Sequence, residues 1–181
     1  EPTQEGNYFN DDANGLPVLL ADTAKDLYWI ALGINDGDKL DGDASYLGSV
    51  ADIDDPDVSY TDYPDTFWGN MGKIIESIQN KSDTAKIVLY KPIFQGALRT
   101  LTGVSATQNG IATIRNAIGE IAEYYSLPVM DALTDIFFQS PFYPQHMDSD
   151  ISAGTHASVL LYPGIANANM RLFSKCVYEN A

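Results

Sequence analysis

Basic residues, cysteine and histidine are scarce in this sequence. Its 181 residues include 10 lysines and arginines against 25 aspartates and glutamates, a formal net charge of −15. Nucleic-acid backbones and anionic membrane surfaces repel so acidic a chain, so neither is an expected partner. The single cysteine excludes an intrachain disulfide. Two histidines and one cysteine, not clustered, exclude a His/Cys zinc site, and we expect no metal and no cofactor.

Long apolar runs and several well-known signatures are missing as well. No run reaches the roughly 18 apolar residues of a membrane span. Residues 1–6 (EPTQEG) have neither the basic region nor the apolar core of a signal peptide, and a signal peptide already removed from the chain is left as an open alternative. The sequence has no Gly-x-Gly-x-x-Gly and no phosphate loop, which argues against a nucleotide-binding domain of flavodoxin-like type.

The segments that are present alternate between strand-like and helix-like patterns. We predict a polar arm at residues 1–15, followed by one domain over residues 16–181. Strands are expected at residues 26–32, 84–90 and 127–131, and helices at residues 16–25, from residue 66, at 111–125 and at 162–177. This alternation predicts an α/β fold with a parallel sheet and helices on both faces. Residues 37–65 show no lasting period and are predicted to be a functional loop or an insertion.

Two short motifs fall where such folds place their sites, beyond the carboxyl ends of the strands. Gly33-Ile34-Asn35-Asp36 follows the first predicted strand, and Gly154-Thr155-His156 lies in the loop before the last helix. Alone, an Asn-Asp pair after a strand is most often a turn former, and a lone histidine is most often structural. The order of the two motifs along the chain favours a functional interpretation.

This layout resembles the SGNH (GDSL-type) hydrolase family over residues 16–173. Residues 26–36 are similar to the family's strand and Gly-x-Asn-Asp block, and residues 66–92 to its next helix and strand. Residues 114–131 are similar to its following helix-strand unit, and residues 154–166 to its histidine block. The resemblance implies a flavodoxin-like three-layer α/β/α sandwich with a mainly parallel sheet, here lacking its first strand or strands. It also implies ester hydrolysis by a serine, a histidine base and an oxyanion hole. Asn35 would be an oxyanion donor, and His156 the general base.

Two parts of the family pattern are absent. No Gly-Asp-Ser precedes Asn35; the similar Gly42-Asp43-Ala44-Ser45 follows it and is predicted to be a loop. Either another polypeptide supplies the missing strand and serine, or the sequence starts after them, or activity has been lost. The position three before His156 is Ala153, so Asp150 or Asp148 would have to orient the histidine.

Residues around the long loop are candidates for binding. Asp36, Tyr60 and Tyr63 are predicted to contact the substrate, because aromatic rings beside carboxylates stack on sugars. Phe67 and Trp68 open a helix and are predicted to be core. The carboxylates Asp36, Asp38, Asp41 and Asp43 alternate with glycines in a way that calcium sites use, but a solvated acidic loop is favoured because the terminal glutamate of an EF-hand is missing.

Two hypotheses follow. The first is an SGNH-type esterase or carbohydrate O-deacetylase acting on an ester, such as an acetylated carbohydrate. The second is a catalytically inactive SGNH-like module with a glycan-binding or structural role, for instance in a phage virion or tail. It rests on the absent serine, on Ala153, and on a similarity of residues 37–65 and 66–69 to SGNH-like domains of gut bacteria and their phages. Expected partners are an ester or glycan ligand and a protein chain that completes the sheet; the expected location is extracellular or virion-associated, with a cytoplasmic one left open.

Overall fold

The computed structural model describes residue 18 and residues 21–92, 106–131 and 162–175. Within these ranges three strands form one sheet: β1 (Leu27–Ile30), β2 (Lys86–Lys91) and β3 (Val129–Asp131). The order is β1-β2-β3, and both pairings are parallel, with Tyr28 opposite Ile87 and Tyr90 opposite Met130. The predicted parallel sheet is therefore confirmed, and the predicted polar arm lies outside the described residues.

Helices cover both faces of this sheet. They are α1 (Asp36–Gly42), α2 (Phe67–Lys81), α3 (Ala106–Tyr124) and α4 (Tyr162–Ser174). Alternate strand residues point to opposite faces. Tyr28, Ile30 and Leu89 join the core with α2 and α3, whereas Val88 and Met130 pack on the α4 side. The fold is thus α/β with three layers, as predicted.

The helix α2 shows why the local sequence folds as it does. Thr66 is its N-cap, and the Thr66 hydroxyl accepts a hydrogen bond from the backbone N–H of Gly69 at 3.0 Å. Residues three and four apart then build one apolar face. The largest side chains of that face are Phe67, Trp68, Met71, Ile74, Ile75 and Ile78, each at most 4% exposed. The prediction that Phe67 and Trp68 are core residues is confirmed.

The stretch after β1 differs from its prediction. Residues 36–42 form the helix α1, and three short 3₁₀ helices follow at Ala44–Leu47, Val50–Asp52 and Tyr60–Asp62. The sequence DGDKLDG has poor helix formers, so α1 depends on tertiary contact. A Cβ on Gly110 of α3 would lie 2.1 Å from the carbonyl oxygen of Gly37, so the two helices touch backbone to backbone. The predicted first helix also ends earlier, since residues 22–26 are not helical.

A cluster of hydrogen-bonded tyrosines fixes the connection between α1 and α2. We call Tyr63, Tyr124, Tyr125, Glu76 and Asp54 the tyrosine cluster. Two hydroxyls donate to the Glu76 carboxylate, from Tyr63 at 2.8 Å and from Tyr125 at 2.7 Å. The hydroxyl of Tyr124 donates to Asp54 at 2.9 Å. Burial, and then the hydrogen bonds to these carboxylates, raise the pKa of all three phenols.

Candidate functional site

The parallel strands bring three chain segments to one edge of the sheet. The segments that leave the carboxyl ends of β1, β2 and β3 begin at residues 31, 92 and 132. Ligand sites of open α/β sheets lie at this edge. The sequence predicted this location from the order of the elements, and the pairing of the strands agrees with it.

A glycine directs the turn that follows β1. Gly33 is buried and has φ +107°, a conformation that residues with a Cβ rarely adopt. A Cβ at this position would also lie 2.7 Å from Cγ2 of Ile114 and 3.5 Å from Cε2 of Phe67. The chain therefore crosses directly over the junction of α2 and α3 before it reaches Asn35.

Asn35 occupies the N-cap position of α1 without acting as a cap. Its backbone is helical, with φ −81° and ψ −18°, and its side chain makes no capping hydrogen bond. An asparagine at this position usually accepts a hydrogen bond from the first helical turn. The Asn35 side chain is exposed at the carboxyl edge. Among the described residues none accepts a hydrogen bond from the Asn35 amide N–H groups, so these donors can serve a ligand, which is what an oxyanion donor requires.

The neighbouring carboxylate, Asp36, already has a partner. The hydroxyl of Tyr46 donates to Asp36 Oδ1 at 2.5 Å, and the Lys39 ammonium lies 3.8 Å from the centre of the Tyr46 ring. Burial, and then the bond to Asp36, raise the pKa of Tyr46. These contacts join α1 to the first 3₁₀ helix and hold the segment next to Asn35 in place.

An arginine joins the ends of the other two strands. Arg115 of α3 donates from Nη1 to the carbonyl of Pro92, which follows β2, and from Nη2 to Asp131 Oδ1, both at 2.6 Å. The Arg115 side chain is 9% exposed and that of Asp131 27%. Burial is also the main reason why the pKa of nearby Tyr90 rises to about 12. Arg115 therefore holds together Pro92 and Asp131, the residues at the ends of β2 and β3.

Sequence reasoning did not single out Arg115. A signal was present, because Arg115 lies between Ile111, Ile114 and Ile118 on the buried face of an amphipathic helix. A charge in such a position needs a partner. Asp131, at the end of a predicted strand, was the available candidate.

The predicted site residues are only partly within the described structure. His156, Asp150, Asp148 and Ala153 lie outside the described residues, as does His146. Whether His156 approaches Asn35 therefore remains a prediction.

The other candidates are described. Tyr60 is half-buried, but Tyr63 is 7% exposed and is not the surface residue that the sequence predicts. Its hydroxyl is occupied in the tyrosine cluster, and its ring contacts Gly72 of α2. Ser45, the serine of the Gly-Asp-Ala-Ser sequence, donates to its own cap residue Asp43 at 2.6 Å. That exposed pair caps the 3₁₀ helix Ala44–Leu47, so Ser45 lies in a short helix and not in the predicted loop.

The described ranges contain neither a cluster of metal ligands nor a membrane-spanning helix. No group of three or more histidine, cysteine or acidic side chains is placed to hold a metal ion there. None of the helices described is long and apolar enough to cross a bilayer.

Comparison with known proteins supports the fold. No family model and no curated protein matches the chain. One similar crystal structure is 25% identical with a TM-score of 0.62, and the match covers 84% of this chain and 66% of that one. Another, from Chitinophaga pinensis DSM 2588 and described as a possible lipase, is 20% identical with a TM-score of 0.59, covering 93% of this chain and 77% of that one. The chain shares the fold of these structures and spans just under two thirds of the first of these proteins.

Proposed function

We propose that this chain is a hydrolase domain of the SGNH (GDSL) type that acts on an ester, such as an acetylated carbohydrate. The observation that carries the proposal is Asn35, an exposed amide at the carboxyl edge that is not used to cap its helix. The lipase-like fold is consistent with hydrolytic chemistry.

The reaction assigns one role to each predicted residue. His156 takes the proton of a serine hydroxyl while the serine oxygen attacks the ester carbonyl. The carbonyl oxygen becomes negative, and the Asn35 amide stabilises it by a hydrogen bond. Asp150 orients the histidine, which returns the proton to the departing alcohol. Water, activated by the same histidine, then releases the acid from the serine.

In the SGNH pattern the serine precedes the Asn block, and no serine precedes Ser45 in this sequence, so the proposal assigns the serine to another polypeptide or to a segment outside this sequence. The sheet offers a place for it. In the described part of the chain no strand pairs with the outer edge of β1, and Trp29 on that strand is 45% exposed. An unpaired edge accepts a further strand by backbone hydrogen bonds. A strand that carried the serine there would end next to Asn35.

Hydrolysis of p-nitrophenyl acetate tests this function. We expect His156→Ala to abolish turnover and Asn35→Ala to lower kcat by about 10²-fold or more, as the loss of an oxyanion donor does. The matched controls are His146→Ala and Asn80→Ala, and neither should change the rate. Turnover that survives His156→Ala would reject the assignment of the base.

A second function, an inactive module that binds glycans or builds a structure, is favoured by one specific observation. The first serine of the sequence, Ser45, is engaged with Asp43 at the start of a short 3₁₀ helix. A fluorophosphonate probe separates the two functions, since it labels an activated serine covalently. Stoichiometric labelling would support the hydrolase and reject the inactive module. No labelling and no turnover, together with retained glycan binding, would support the module.

A further inference from the structure

A cleft lies between the long connection, the start of α2 and the last turns of α3. It has a volume of about 450 Å³. Leu47 and Val50 of the connection form one wall, Trp68 of α2 lies between, and the last turns of α3 form the other wall with Glu120, Glu123 and Tyr124. We call it the acidic cleft. Glu120 is ten residues beyond Gly110, the contact point with α1, so about 15 Å of helix separates the two places.

The walls of the acidic cleft are held rigidly. Asp52 accepts hydrogen bonds from the Thr66 hydroxyl at 2.7 Å and from the Ser49 N–H at 3.2 Å. Gly48, with φ +69°, is so close that a Cβ there would lie 2.0 Å from the Asp52 carboxylate. On the opposite wall, the hydroxyl of Tyr124 is fixed by Asp54. A cleft formed before binding loses little entropy when a ligand enters.

The lining combines exposed apolar surface with carboxylates. Val50 is 43% exposed and Tyr124 41%, although both are large apolar side chains. Glu120 and Glu123 lie one turn apart on the same helix face, a spacing at which like charges repel. Neither carboxylate forms an ion pair with a residue in the described ranges. A positive charge between them would remove that repulsion.

We propose that the acidic cleft binds an organic cation, an ammonium or guanidinium group on an apolar stem. The stem packs against Val50 and Leu47, and the exposed Tyr124 ring faces the cation, an arrangement that aromatic rings favour. Glu120 and Glu123 bind the charged group. The source is a free amine or the side chain of a lysine or arginine, which share this chemistry. The site is separate from the proposed ester site and does not depend on it.

Titration with benzylammonium, followed by residue-resolved NMR, tests the proposal. We expect saturable shifts at the Val50 and Tyr124 amides and at the Trp68 indole. Neutral benzyl alcohol, which has nearly the same shape, should bind about two- to fivefold more weakly, since an exposed charge contact contributes up to roughly that much. The blocked peptide acetyl-Gly-Lys-Gly-amide separates the sources: tighter binding than benzylammonium indicates a protein side chain, and weaker binding a free amine.

A double variant and a matched control complete the experiment. Glu120→Gln/Glu123→Gln should weaken benzylammonium about two- to fivefold and leave benzyl alcohol unchanged. Asp57→Asn/Asp83→Asn removes the same charge from exposed positions outside the cleft and should change neither. The proposal is overturned if benzyl alcohol binds as tightly as benzylammonium, if the control variant loses as much affinity, or if the shifts do not saturate.

Discussion

Removal of the Arg115 guanidinium should destabilise the carboxyl edge strongly. Arg115→Met keeps the apolar stem but deletes the hydrogen bonds to Asp131 and Pro92. A bond to a charged group contributes about 1.5–3 kcal/mol and a neutral one about 1 kcal/mol. Because Asp131 retains 27% side-chain exposure, water compensates part of this loss. We expect the free energy of unfolding to fall by about 2–4 kcal/mol.

Urea unfolding of a double-mutant cycle measures this effect. The cycle joins Arg115→Met with Asp131→Asn, and we expect a coupling energy of about 1–3 kcal/mol, because the two side chains share one ion pair. Amide exchange should rise first at the ends of β2 and β3. A loss below about 1 kcal/mol for Arg115→Met, with no coupling, would refute the idea that this pair holds the two strand ends together.

Two further variants and one titration test the framework of the site. Gly33→Ala should lower the free energy of unfolding by urea by about 2–5 kcal/mol, because the new Cβ disfavours the positive φ and contacts Ile114. Gly42→Ala, which has open space around it, should change this free energy by less than about 1 kcal/mol. The raised phenol pKa values of the tyrosine cluster mean that its stabilisation is complete below pH about 10 and is lost as the pH rises further, so the urea midpoint should fall above that pH. Tyr63→Phe should reduce that fall, and a midpoint independent of pH up to 11 would contradict the assignment.

The sheet could be predicted because its signals are local and strong. Residues 87–90 form a continuous apolar run within β2, and this part of the strand is buried on both faces, with Val88 and Leu89 at 0% exposure. The apolar periods of α2 and α3 likewise identify their buried faces. Strands and helices that alternate in this way leave few topologies besides parallel pairing.

The structural features that the sequence did not predict depend on contacts between residues distant in sequence. The helix α1 has aspartates and glycines in most positions, and its helical state follows from the close approach of Gly37 to Gly110. Tyr63 lies in a polar stretch, yet its hydroxyl donates a hydrogen bond to Glu76 of the next helix, and its ring is buried in the core. No local pattern shows either partner. The position of Asn35 was predictable because it follows a strand. The absence of a capping hydrogen bond to its side chain was not predictable.

The central claim is that Asn35 and His156 meet at one edge of the sheet. An NMR titration of the two histidines in Asn35→Asp tests it, because a carboxylate within about 6 Å raises the pKa of a histidine by roughly 0.5–2 units. We predict that the His156 pKa rises in this variant, that the His146 pKa stays unchanged, and that Asn80→Asp, which adds the same charge at the end of α2, moves neither. An unchanged His156 pKa in Asn35→Asp would contradict the account.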